Sequence, residues 1–149
     1  MPNKLNVGDK MPSFRCKDEE GHVVTNDDVI GTPLVIYFYP KDDTPTCTVE
    51  ACSFRDYVAT LENTDTLVLG VSPDSVESHL QFIEKHDLNF TLLADTSKEM
   101  CHAFDVLKDD RVERTTFVID PDGIISWVER PVNVEGHAER VLKAINACA

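Results

Sequence analysis

Cys47 and Cys52 are the residues of this 149-residue sequence best placed to do chemistry. Cys47 follows a polar loop, Lys41 to Pro45, and precedes an apolar stripe at Ala51, Phe54, Val58 and Leu61, spaced i, i+3, i+7 and i+10. That spacing predicts a helix, and counting back four from Ala51 puts Cys47 in its first turn. There the unpaired N–H groups and the positive end of the helix dipole favour an anion, which suits a reactive thiolate. Most free cysteines are instead small buried hydrophobes. The polar loop, the second cysteine, and Pro40 and Thr44 ahead of Cys47 weigh against that reading.

Cys52 is a candidate second thiol. Five helical residues leave the two Cα atoms roughly 8–9 Å apart, with side chains turned about 140° from one another. A disulfide tolerates only about 7 Å. Either Cys52 is structural, or the first turns of the helix melt to let the two sulfurs meet. Glu50 lies in the same first turn, where the dipole alone favours an acid. Arg114 stands just before the apolar run TTFVID, and an arginine there is ordinarily a solvated strand end.

The elements that must position these residues read as α/β. Leu34 to Tyr39 is apolar, β-branched and aromatic, a buried strand ended by Pro40. Thr46 is the expected helix cap. Thr66 to Ser72 and Phe90 to Ala94 are two further buried strands. Between them a helix from Ser75 to His86 is expected, opened by Asp74 and Glu77 as a capping box and burying Val76, Leu80 and Ile83. Lys98 to Val106 reads as a short helix. Thr115 to Asp120 and Ile124 to Glu129 form a hairpin about Pro121-Asp122-Gly123, and Gly136 to Ala147 is the closing helix. Near the start, Glu20-Gly21 predicts a hairpin between residues 14–16 and 22–24. The order implies one domain, residues 1–149, with a mixed central β-sheet and helices on both faces. In such sheets sites lie beyond the carboxyl ends of the strands, where Cys47 falls.

Composition narrows the function classes. Fourteen basic residues against 27 acidic give a net charge of −13, which disfavours nucleic acid and anionic membrane as partners. No apolar run has membrane-spanning length and no signal peptide is recognisable, so a cytoplasmic location is expected. Five irregularly spaced cysteines argue against a structural disulfide framework. Cys16 reads as a passive strand residue, Cys101 as a helix residue beside Phe104, and Cys148 as terminal. A zinc site from Cys47, Cys52, Cys101 and His102 lacks ligand-pair spacing. His22, His79, His86, His102 and His137 are expected at the surface. No metal or cofactor is called for.

Pro40-x-x-x-Thr44-x-x-Cys47 resembles the peroxiredoxin active-site motif. The string YFYPKDDTPTCTVEAC resembles the peroxiredoxin Q branch, also called bacterioferritin comigratory protein, from Val7 to the last helix. Thr46 departs from it, since the branch more often has Gly there. The resemblance implies a thioredoxin-like fold. It also implies a thiol peroxidase reducing hydrogen peroxide and organic hydroperoxides through a sulfenic acid and an intramolecular disulfide, regenerated by thioredoxin or a similar dithiol. Cys47 would be the attacking thiol and Cys52 the resolving one. Arg114 would stabilise the thiolate and the peroxide oxygens, Thr44 would hydrogen-bond both, Pro40 would shield them from water, and Glu50 would orient the arginine. This branch includes monomers. The rival functions are a thioredoxin-type oxidoreductase, which would need C-x-x-C where this chain has C-x₄-C, and a non-enzymatic holdase.

Overall fold

In the computed structural model, which describes residues 5–62 and 66–148 and the side chains of all but 59–62 and 146–148 of these, the chain opens with the expected hairpin. Arg15–Lys17 (β1) pairs antiparallel with Val23–Thr25 (β2). Then follow Asn26–Val29 (α1), Leu34–Phe38 (β3), Pro45–Glu62 (α2), Leu67–Ser72 (β4), Val76–His86 (α3), Thr91–Ala94 (β5) and Glu99–Ala103 (α4). Leu107–Lys108 (β6) and Arg111–Val112 (β7) form a small separate hairpin. Thr115–Ile119 (β8), Ile125–Glu129 (β9) and His137–Cys148 (α5) complete the chain.

The main sheet has the order β2-β1-β5-β4-β3-β8-β9. β3, β4 and β5 run parallel, joined by the α2 and α3 crossovers, while β8 lies antiparallel to β3. β3 is central and buried throughout, so its side chains alternate between two cores. Leu34, Ile36 and Phe38 join the core beneath α1 and α4, which includes Val29, Met100 and Cys101. Val35, Tyr37 and Tyr39 join the core under α2, α3 and α5, with Phe54, Phe82 and Val141. This is the thioredoxin-like mixed sheet with helices on both faces. Gly70 on β4 pairs with Tyr37 in register, and a Cβ there would come within 2.9 Å of the Tyr37 hydroxyl. Glycine at that position makes room for the ring.

Three local expectations need correction. α2 starts at Pro45, not after a Thr46 cap: the Thr44 carbonyl accepts the Thr48 N–H at 2.8 Å, and Pro45, with no N–H to lose, takes the first helical position. α3 is capped by Ser75, whose side chain accepts the Ser78 N–H, while Asp74 accepts from Ser72 and from the Asp42 backbone instead. Its inward face is His79 and Phe82 rather than Val76 and Leu80, and Leu80 is 41% exposed. The polar His79 can be buried because both ring nitrogens are satisfied, Nδ1 by Asp42 at 2.7 Å and Nε2 by the Leu93 carbonyl at 2.8 Å. Ala51, Phe54 and Val58 of α2 are buried as expected, whereas the side chain of Leu61 lies outside the described residues. The β6–β7 hairpin is not legible as strand, being two residues a side. Its turn is Asp109-Asp110, both at positive φ, 52° and 63°, as a two-residue hairpin connection requires.

Candidate active site

Cys47 is the third residue of α2 and is 1% exposed. Phe38 pairs with Thr115 across β3 and β8, which carries Arg114 to the end of β3 from which the Cys47 loop departs. Thus two residues 67 apart in sequence meet, with Arg114 Nη2 3.1 Å from the Cys47 sulfur. Glu50, one turn on from Cys47, accepts from Arg114 Nη1 through Oε1 at 2.7 Å. The guanidinium is therefore held by its two arms to an acid and a thiol on one helix face. Burial works against its charge, but Glu50 and the Cys47 sulfur more than offset this and hold it above the ordinary arginine value.

Thr44 caps α2 through its backbone, and its hydroxyl donates to the Lys41 carbonyl at 3.2 Å, with no bond to Cys47 among the described residues. Pro40 is exposed at the end of β3. The loop between them is anchored to α3. Asp42 accepts from the Tyr39 hydroxyl at 2.6 Å and from Ser78 at 2.8 Å in addition to pairing with His79, and Asp43 pairs with Lys85 and His86. Cys52 is half-buried on α2, and neither it nor Cys47 is disulfide-bonded. Cys16 and Cys101 sit in the core on the opposite face of the sheet from Cys47, so Cys101 and Cys47 cannot ligate one ion. Burial pushes the Cys16 thiol up to about 12 and the Cys101 thiol higher, with Asp95 adding to both. The side chain of Cys148 lies outside the described residues.

Not all histidines are at the surface: His79 is fully buried and His137 is 1% exposed. His137, the first residue of α5, lies against the Cys47–Arg114–Glu50 group. Its Nε2 is 2.8 Å from the Thr116 hydroxyl and 3.9 Å from Glu50 Oε2. Its Nδ1 is 3.2 Å from Glu129, off the line of a good hydrogen bond, and Glu129 is gripped by Arg140. Phe54 meets the ring edge-on and Trp127 stacks on it. Sequence reading did not find Thr116, Glu129, His137 or Arg140. They reach the site from β8, β9 and α5, and no spacing links them to Cys47.

Burial raises Glu50 from 4.5 to about 7, with Arg114 opposing the shift. Burial lowers His137 from 6.5 to about 4 although Glu129 opposes it. The folded protein thus binds an extra proton at Glu50 and one fewer at His137 where the windows overlap, from 4.5 to 6.5. The stability contributed by Glu50 is full below 4.5 and is lost as pH rises towards 7, whereas that of His137 is full above 6.5 and is lost as pH falls towards 4. The two slopes cancel. Glu50→Gln is expected to expose the His137 slope, making stability relative to the parent rise about tenfold in folding constant per pH unit across that window. Urea melts at several pH values test this, and parallel profiles for variant and parent would refute it.

A thioredoxin-like sheet that holds a cysteine at a helix N-terminus against an arginine defines the class of thiol-dependent peroxidases. Residues 7–128 match the AhpC/TSA family. Peroxiredoxin Bcp of Bacillus subtilis is 40% identical over 149 residues, covering 95% of each chain. A cysteine-to-serine mutant of PrxQ from Xylella fastidiosa superposes with a TM-score of 0.92 at 36% identity, covering 98% of each chain. The bacterioferritin comigratory protein of Xanthomonas campestris, whose structures were solved to explain alkyl peroxide reduction, gives a TM-score of 0.87 at 37% identity over 90% of each chain. The chain belongs to the AhpC/TSA family, in its peroxiredoxin Q (Bcp) branch, and is a thiol-dependent peroxidase. Among the described residues no helix is long and apolar enough to cross a membrane.

Proposed function

We propose that Cys47 is the peroxidatic thiol and Cys52 the resolving thiol. The cycle reduces hydrogen peroxide and organic hydroperoxides in the cytoplasm, using electrons from thioredoxin or a similar dithiol. The carrying observation is the 3.1 Å contact between Arg114 and the Cys47 sulfur at the start of α2. The Cys47 thiolate attacks the terminal peroxide oxygen, the O–O bond breaks, and the alkoxide or hydroxide leaves and takes up a proton. Cys47 is then a sulfenic acid. Arg114 balances the charge that moves from sulfur to the leaving oxygen. The Cys52 thiolate next attacks the Cys47 sulfur, the S–O bond breaks, the hydroxide takes up a proton and leaves as water, and a dithiol reduces the resulting disulfide. Thr44 and Pro40 flank the approach, Thr44 turning its hydroxyl from the Lys41 carbonyl to the peroxide. Glu50 holds the second arm of Arg114.

Organic hydroperoxides are included because the Xanthomonas campestris relative is described as reducing alkyl peroxides. Cys47, Cys52 and Arg114 all belong to one chain, so the cycle asks nothing of a partner and a monomer suffices. Residues 1–149 act as a single domain. Mass spectrometry after one equivalent of peroxide tests the scheme: a Cys47–Cys52 disulfide is expected, and a Cys47–Cys101 or interchain pair would overturn it.

Arg114→Ala removes the charge beside the sulfur. Oxidation of Cys47 is expected to slow by about 10²–10³-fold, the usual cost of losing one donor to a developing anion. The loss should persist across the pH range, because the guanidinium removed is charged throughout it. Stopped-flow traces from pH about 5 to 9 check both, and an unchanged rate would return Arg114 to the role of a strand-end residue.

A further inference from the structure

Arg114 faces two acids. One arm reaches Glu50 and the other the Cys47 sulfur, and both Cys47 and Glu50 are 1% exposed. The other charges at this spot cancel, since Arg140 grips Glu129 through two contacts of 2.7 Å. Tyr37, buried below on β3 with an unpartnered hydroxyl, is held neutral by burial. With Cys47 as thiolate and Glu50 as carboxylate, one cation would face two anions away from water. A proton on one of the acids removes the surplus.

The unpartnered atoms indicate where the proton sits. Glu50 Oε2 is buried and makes no hydrogen bond, and it lies 3.9 Å from His137 Nε2. On the far side of the ring, Nδ1 faces the Glu129 carboxylate at 3.2 Å, and a carboxylate can only accept. Nδ1 therefore carries the ring hydrogen, and the single lone pair of Nε2, which accepts the Thr116 hydroxyl at 2.8 Å, becomes the acceptor for Glu50 when that hydroxyl turns aside. A proton on Oε2 points at this nitrogen from about 1 Å beyond hydrogen-bond reach, a gap closed by a small turn of the carboxyl.

We propose that His137 is a positioning residue for peroxide reduction: it accepts the protonated Oε2 of Glu50, so that Glu50 stays neutral and the charge of Arg114 is left to Cys47 and the peroxide. This rests on Cys47 being the peroxidatic thiol. The proton preferences agree with it. Burial lifts Glu50 to about 7 and drops His137 to about 4, the reverse of their ordinary order, and Arg140 and Arg114 also disfavour charge on the ring. Loss of the Glu50 proton at alkaline pH gives Arg114 a full counter-anion and loosens its hold on the thiolate and the leaving oxygen.

Infrared spectroscopy of the reduced full-length protein tests this without relying on turnover. A carbonyl band from a buried protonated carboxyl is expected at pH about 6, lost by pH about 9, and absent from Glu50→Gln. Stopped-flow oxidation of Cys47 by hydrogen peroxide should slow about tenfold between pH 7 and 9 in the parent as that proton leaves. His137→Leu, which offers no acceptor, should shift this fall about one pH unit lower, and His137→Gln, which keeps a carbonyl acceptor, should recover part of the shift. A parent lacking the band, a flat alkaline profile, or a Leu variant that overlays the parent would overturn the proposal. If the Leu variant does not fold, the parent's band decides. If peroxide fails to oxidise Cys47, the catalytic reading falls, and the band still reports on Glu50.

Discussion

Cys47→Ser is expected to abolish peroxide reduction while leaving the fold intact. Thiols as a class ionise far more readily than hydroxyls, and oxygen is the poorer nucleophile towards peroxide. Removing the attacking atom from a site that otherwise only binds and orients costs on the order of 10⁴–10⁶ in rate. Stability should change far less, by about 1 kcal/mol, because serine is nearly the same size and its oxygen can accept from Arg114 as the sulfur does at 3.1 Å. Peroxide consumption with a reduced thioredoxin supply, alongside a thermal melt, separates lost chemistry from lost structure. Full activity in a folded Ser variant would remove Cys47 from the mechanism.

Oxidation is expected to form the Cys47–Cys52 disulfide and to unwind the start of α2. Both cysteines lie on one continuous helix, Pro45–Glu62. A regular helix holds their Cα atoms about 8–9 Å apart, too far for a bridge. Unwinding sacrifices the early helical bonds, among them Thr48 N–H to the Thr44 carbonyl, together with the contact of Cys47 with Arg114. A helix N-terminus is where such bonds are cheapest to lose. The change is bounded on both sides. Upstream, Asp42 is tied to His79, Ser78 and Tyr39. Downstream, Phe54 is fully buried, with its ring 4.6 Å from that of Tyr37, and Val58 is nearly as buried. Exposing them would cost about 1.5–3 kcal/mol for each side chain. Unwinding should therefore stop near Ser53. It would also present the disulfide to a dithiol that cannot reach a buried one. Amide exchange on the reduced and oxidised forms checks this: protection should fall from Thr46 to Ser53 and persist beyond Phe54. An oxidised protein whose first turns stay protected would mean that Cys52 is not the resolving thiol.

Much of this was legible in sequence because it is local. A continuous apolar run rich in β-branched and aromatic residues makes Leu34–Phe38 a strand, polar turn residues break it before the next helix, and the 3.6-residue stripe of Ala51, Phe54 and Val58 orients that helix so that Cys47 faces inward. The loop–helix junction and its cysteine follow from these rules. α3 shows where they stop. Apolar type alone selected Leu80 for the core, but the side chain that packs there is His79, because Asp42 and the Leu93 carbonyl satisfy its ring. Arg114, Glu129 and His137 come to Cys47 only because β8 and β9 pair antiparallel at one edge of β3 and α5 folds back over them. By itself the sequence placed one cysteine at the start of a helix that follows a buried strand. Only the tertiary structure decided which charges surround that cysteine, because proton preferences depend on burial and on neighbours brought together by strand register, and neither is encoded in a local pattern.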